Sequence, residues 1–118
     1  MTGRAQEIVS AIKEQLGIPN VIAAFKEGDT TITVHVAVHA NQFRVYGVKG
    51  IDASTAQCLI EEFETLALEE HCNVIWRVND PEIIWALLNN QYTRFPSPNP
   101  TLCKSHINIL RNRAKVPA

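Results

Sequence analysis

The sequence has no apolar run near the ~18 residues that a membrane-crossing helix requires, and Met1 to Glu7 hold no apolar signal core. A cytoplasmic chain without a membrane partner is the expectation. Cysteine is scarce and odd in number. Cys58, Cys72 and Cys103 stand at unrelated spacings, which argues against a disulfide framework and fits reduced thiols. Glycine is scarce as well: Gly47 and Gly50 form no phosphate-cradling loop. No internal repeat is present. Acidic residues are missing altogether beyond residue 90. All twelve lie in residues 1–90, with six basic residues, whereas residues 91–118 hold Arg94, Lys104, Arg111, Arg113 and Lys115. The formal net charge of -1 therefore hides an acidic body and a basic tail.

What is present is enough for a core. The chain has 118 residues, 46% hydrophobic and 19% charged, the proportions of one globular domain. Ala5, Ile8, Val9, Ile12 and Leu16 recur at helical spacing, predicting a helix from Gly3 to Leu16 that stops at Gly17 and Pro19. Three strands are predicted next, over Val21–Lys26, Thr31–His39 and Gln42–Val48. In the second, Ile32, Val34, Val36 and Val38 alternate with Thr31, Thr33, His35, Ala37 and His39, which specifies one buried and one different face. Centring the turns on Gly28-Asp29 and Ala40-Asn41 pairs Phe25 with Ile32, Ala23 with Val34 and Val21 with Val36. It then pairs Val38 with Phe43, Val36 with Val45 and Val34 with Gly47, so that the apolar residues share a face. The other face receives Lys26, Thr31, Thr33, His35, His39, Gln42, Arg44 and Tyr46, with Ile22, Ala24 and Ala37 among them. It is too apolar to be plainly solvated, and the tail or a second subunit is expected to cover it.

A long helix over Ser54 to Glu70 is predicted, capped by Asp52 or Ser54. Ala56, Leu59, Ile60, Phe63, Leu66 and Ala67 face inward, and Glu61, Glu62, Glu64 and Glu69 outward. A fourth strand over Asn73–Val78 should join the meander by a right-handed crossover. Asp80-Pro81 opens a helix to about Asn90. Pro96, Pro98 and Pro100 then favour a stiff connector, and Thr101–Arg113 reads as a last amphipathic helix. The fold class is α+β in the order α-β-β-β-α-β-α-α, with helices on one sheet face. Residues 1–92 form the core domain. Residues 93–118 form a connector and basic helix docked on the core or on a partner subunit. The opening order of helix, three strands and helix resembles that of the double-stranded RNA-binding domain. The lysine cluster that opens the second helix of that family is replaced here by Asp52-Ala53-Ser54-Thr55-Ala56-Gln57, so its function is not implied.

Candidate chemistry sits in few places. His35 and His39 share a strand face about 13 Å apart, too far to converge on one zinc, and no metal or other cofactor is expected. His35 opposite Tyr46, with Arg44 beside them, can hold a phosphate or do acid–base work, but no carboxylate or nucleophile shares those strands. His71 and Cys72 are adjacent in sequence, which does not bring their side chains together. Cys58 lies early in the long helix, where a thiol pKa can fall, but a buried structural role is expected for all three cysteines. Trp76 and Trp85 read as core or interface anchors. Lys104, Arg111, Arg113 and Lys115 can contact phosphates or dock on the acidic helix. The expectation is a small non-catalytic interaction or regulatory protein, homodimeric or bound to another protein. The alternatives are a nucleic-acid binder using the basic tail, and a small enzyme using His35, Arg44 and Tyr46.

Overall fold

A computed structural model of the chain describes residues 3–16, 22–95 and 101–115, the last without its side chain. Helix α1 (Gly3–Gln15) leads into strands β1 (Ile22–Glu27), β2 (Thr30–Ala37) and β3 (Gln42–Lys49), then helix α2 (Ala53–Glu69), strand β4 (Asn73–Arg77) and helix α3 (Pro81–Asn89). Strands β5 (Thr93–Phe95) and β6 (Thr101–Lys104) and helix α4 (His106–Lys115) complete it. The class is α+β, with the expected order of helices around a sheet larger than expected. Six strands form one mixed sheet in the order β1-β2-β3-β4-β6-β5. Among the described strands only β3 and β4 pair in parallel, as the crossover through helix α2 allows.

The helices cover one face. Ala5, Ile8, Val9 and Ile12 of α1 and the whole predicted stripe of α2 are buried in a single cluster with Phe43, Val45, Val74, Trp76 and Leu102 from the sheet. Asp52 caps α2, its carboxylate accepting from the Thr55 N–H at 2.7 Å, while Ser54 lies inside the helix. Asp80 caps α3 in the same way, accepting from the Glu82 N–H at 2.9 Å, with Pro81 in the first turn.

The first hairpin has the expected register, Phe25 facing Ile32 and Ala23 facing Val34. Val21, Gly17, Pro19 and the Pro96–Pro100 connector lie outside the described residues. The second hairpin is slipped by two residues from expectation: Val36 faces Phe43 and Val34 faces Val45. The reason is the turn. Val38–Ala40 form a 3-10 turn closed by Asn41, whose left-handed φ of 55° lets its N–H reach the Val38 carbonyl. Strand β2 therefore ends at Ala37, and Val38 and His39 leave the sheet. A slip of two keeps every side chain on its own face.

Gly47 was expected opposite Val34. It instead forms a bulge at φ 62°, between the pairs Thr33–Tyr46 and Thr31–Lys49. The extra residue turns Val48 toward the core and Lys49 toward the open face, as a bulge does when it re-aims a strand end. The largest departure is at the tail. Thr101–Lys104, expected as helix, pair antiparallel with β4, and α4 begins only at His106. Leu102 and Lys104 alternate inward with Thr101 and Cys103 outward, a period of two too short to stand out beside the helical spacing of the residues after it.

Gly50 has φ 68°, and a Cβ there would sit 2.6 Å from the Asp29 carbonyl oxygen. Gly28 has φ 60° but open space around it. Both positions penalise an L side chain, and only Gly50 adds a backbone clash. Gly50→Ala is expected to lower unfolding stability by more than about 1 kcal/mol and by more than Gly28→Ala does, as read from urea denaturation. Equal losses would contradict the close approach of β3 to the β1–β2 turn.

Candidate functional site

Among the described residues no helix lies on the sheet's second face, and the strand registers order its side chains in rows. One row runs Ile22, His35, Arg44, Ile75, Cys103, Thr93 from one edge to the other. The next runs Ala24, Thr33, Tyr46, and resumes with Arg77, Thr101 and Phe95. Arg77 stands two residues beyond Ile75, the partner of Arg44, and so flanks Tyr46 across the parallel pair. A third row holds Lys26, Thr31 and Lys49. Among the described residues, no aspartate or glutamate occupies an open-face strand position, while Lys26, Arg44, Lys49 and Arg77 do.

A cavity of about 440 Å³ lies on this face, lined by His35, Gln42, Arg44, Val45, Tyr46, Ile75, Arg77 and Thr101. The structure thus brings His35, Arg44 and Tyr46 together, though with Arg44, not Tyr46, as the cross-strand partner of His35. All three are half-buried. The Gln42 side-chain oxygen accepts from Arg44 Nε at 2.7 Å. That contact holds the Arg44 side chain in the wall of the cavity. Neither Arg44 nor Arg77 has a salt bridge to a described residue. Arg44 and Arg77 both line the cavity with no carboxylate among its other lining residues, a setting that favours an anion over a cation. The lining supplies donors, cations and one aromatic ring, and it holds no carboxylate to act as a base. His39, expected on the same strand face as His35, is exposed in the turn after β2. Among the described residues, no three His, Cys, Asp or Glu side chains gather as a metal site would need.

The tail cations are placed differently. Lys104 is 4% exposed and lies under α2, its ammonium donating to Glu64 Oε2 at 3.2 Å. The Tyr92 hydroxyl donates to the same oxygen at 2.9 Å, and Lys104 Nζ sits 5.5 Å from the Tyr92 ring centroid. Arg113 donates to the Glu61 carbonyl and the Thr65 hydroxyl, and Ile109 is fully buried, so α4 lies along α2. Arg111 is exposed, and the Lys115 side chain lies outside the described residues. Lys104 is thus engaged by Glu64, and Arg113 is held on α2.

Glu64, expected to face solvent, is 7% exposed. Its spacing carried the signal: it lies four residues after Ile60 and three before Ala67, on the inward stripe of α2. Burial first, then the charge and hydrogen bond of Glu64, push the Tyr92 phenol far above its ordinary pKa. The Trp76 indole N–H, buried without a partner in hydrogen-bond geometry, opposes that lift only weakly. Of the cysteines, only Cys72 is fully buried. Cys58 and Cys103 are half-buried, and burial raises the pKa of Cys72 and Cys103, which keeps both as thiols. Trp76 is a core anchor, as expected, but Trp85 is 67% exposed on α3.

No family model, curated protein or solved structure matches the chain, so the reading of the site rests on its own geometry.

The buried ion pair makes two expectations. Lys104→Met leaves Glu64 uncompensated under α2 and should cost about 3–5 kcal/mol, whereas the double variant Lys104→Met, Glu64→Leu should recover most of that loss. Chemical denaturation of the single and double variants checks it; additive losses would remove the coupling. Because the folded Tyr92 pKa lies above the unfolded value near 10, its contribution is complete below pH 10. It declines as pH rises beyond that, by about 1.4 kcal/mol per unit. In a spectrophotometric titration, the Tyr92 share of phenolate absorbance should appear only with loss of the folded circular dichroism signal.

Proposed function

We propose that the chain is a non-catalytic binding module whose working surface is the open sheet face and whose ligand is anionic there. The observation that carries this reading is the acid-free face. A protein with more acidic than basic residues concentrates Lys26, Arg44, Lys49 and Arg77 on one side of its sheet, with no carboxylate between them. Such a field steers and holds negative charge. The half-buried setting of Arg44 strengthens its contacts over those of a freely solvated lysine. The enzyme alternative has His35 and the Tyr46 and Thr101 hydroxyls in the cavity lining, but no carboxylate there to activate or orient them.

Self-association has a different place in this reading. Face-to-face pairing of two sheets would set like charges against each other. The exposed apolar side chains Trp85 of α3 and Ile107 and Leu110 of α4 support a homodimer contact on the helical layer in preference to the sheet face.

The test is a titration of isotopically labelled protein with tripolyphosphate, followed by amide and arginine side-chain NMR shifts. Saturable shifts should cluster on Arg44, Tyr46, Ile75 and Arg77, and Arg44→Ala with Arg77→Ala should remove them. Shifts confined to α4, or none that saturate, would overturn the assignment of the surface.

A further inference from the structure

The open face carries more than charge. Tyr46 sits half-buried between Thr33 and the flank of Arg77, and Phe95, in the same cross-strand row, is 47% exposed. A bare phenylalanine on a cationic sheet face is unexplained by folding, since it buries little. Three strand steps of about 4.8 Å separate the strands that carry the two rings, roughly 14 Å in all. Arg77 and Thr101 stand between them, and His35 and Arg44 lie in the neighbouring row. Lys26 and Lys49 flank Thr31 on the far side, about 10 Å apart at the backbone.

Resting on the open-face reading above, we propose that the anionic ligand is a single-stranded nucleic acid. It would lie across the sheet with bases stacked on Tyr46 and Phe95 and phosphates held by Arg44, Arg77, Lys26 and Lys49. Flat rings interleaved with cations are what a flexible strand with exposed base faces can use. An acidic peptide would satisfy the cations but leave the rings without planar partners. A duplex keeps its bases stacked inside and offers the rings nothing. A second copy of the chain would bring four cations against four. The breadth of the six-stranded face suits a strand of a few nucleotides, the lower range for a sheet-based single-strand site.

The experiment uses the full chain and fluorescein-labelled oligonucleotides of about twelve uridines or thymidines, with anisotropy followed from low to physiological salt. A duplex of equal length and poly-glutamate serve as competitors. The single strand should bind at least tenfold more tightly than the duplex. With four phosphate contacts, log Kobs should fall against log[salt] with a slope of about -3, and Arg77→Ala should flatten that slope by about 0.7. Tyr46→Leu, which keeps apolar bulk in the sheet, should weaken binding about tenfold through lost stacking. Arg77 is exposed, so its variant folds whatever the fate of the others, and thermal melting checks Tyr46→Leu.

Equal binding of duplex and single strand, or displacement by poly-glutamate at equal charge, would overturn the single-strand assignment. So would indifference to Tyr46→Leu. If no oligonucleotide binds while tripolyphosphate still shifts the open-face signals, this inference fails and the binding-module reading stands. If binding persists in Arg44→Ala, Arg77→Ala and vanishes in Arg111→Ala, Arg113→Ala, both fail together.

Discussion

Phe63 of α2 is the contact on which the architecture turns. Its ring lies 5.5 Å from that of Phe43 on β3 and 5.9 Å from that of Trp76 on β4. These are the two parallel strands that α2 connects, and all three rings are fully buried. Tilted aromatic contacts at these separations add about 0.5–1.5 kcal/mol each beyond area burial. The larger effect is geometric. By pinning α2 across β3 and β4, the triplet decides which sheet face is covered. Each side chain alternating with Phe43, Val45, Val74 and Trp76 must then point to the uncovered side. Arg44, Ile75 and Arg77 are on the open face because Phe43, Val45 and Trp76 are not.

Charge follows the same division. The acids of α1, α2 and α3 stand on the helical layer and its turns, and Glu64 enters the core only because Lys104 comes with it. The strands contribute the open-face cations. Counting charge along the chain missed this, because sorting by sheet face is a period-two property whereas residue blocks mix both faces. The block count pointed to residues 91–118 as the basic element. The fold instead spends Lys104 on Glu64 and Arg113 on α2, so the tail reinforces the helical layer.

How far the sequence could be read depended on how local the deciding interaction was. The alternation in Ile32, Val34 and Val36 and the stripe from Ala56 to Ala67 were legible because burial repeats along a single element. The faces of β3 were legible too, but its register was not: whether Asn41 adopts the left-handed conformation decides where the turn begins, and either choice preserves alternation. The strand at Thr101–Lys104 was illegible for a stronger reason. Four residues carry too short a pattern, and what makes them extended is the unpaired side of β4, a partner nearly thirty residues earlier in the chain. His35, Arg44 and Tyr46 were visible as a cluster from the meander alone. Arg77 and Thr101 were not, because they join it only through β4 and β6.

The sheet's edges decide how such a protein can engage a partner. At β1, where strand addition would start, the Gln15 side chain behaves as a fragment of a seventh strand. Its amide donates to the Ala24 carbonyl at 2.8 Å and accepts from the Ala24 N–H at 3.0 Å. Ala24 is a residue whose backbone groups point away from β2, so the amide occupies the two positions an incoming strand would need first. At the opposite edge β5 has three residues, too few to template a ladder. Both edges are thus guarded in ways that disfavour recognition through backbone pairing. What remains accessible on the sheet is a surface of side chains, in which Tyr46, Phe95 and four cations stand in fixed rows. Under the proposed binding reading, recognition on such a surface depends on the spacing of rings and charges and not on main-chain complementarity, and the strand registers set that spacing more than any single residue does.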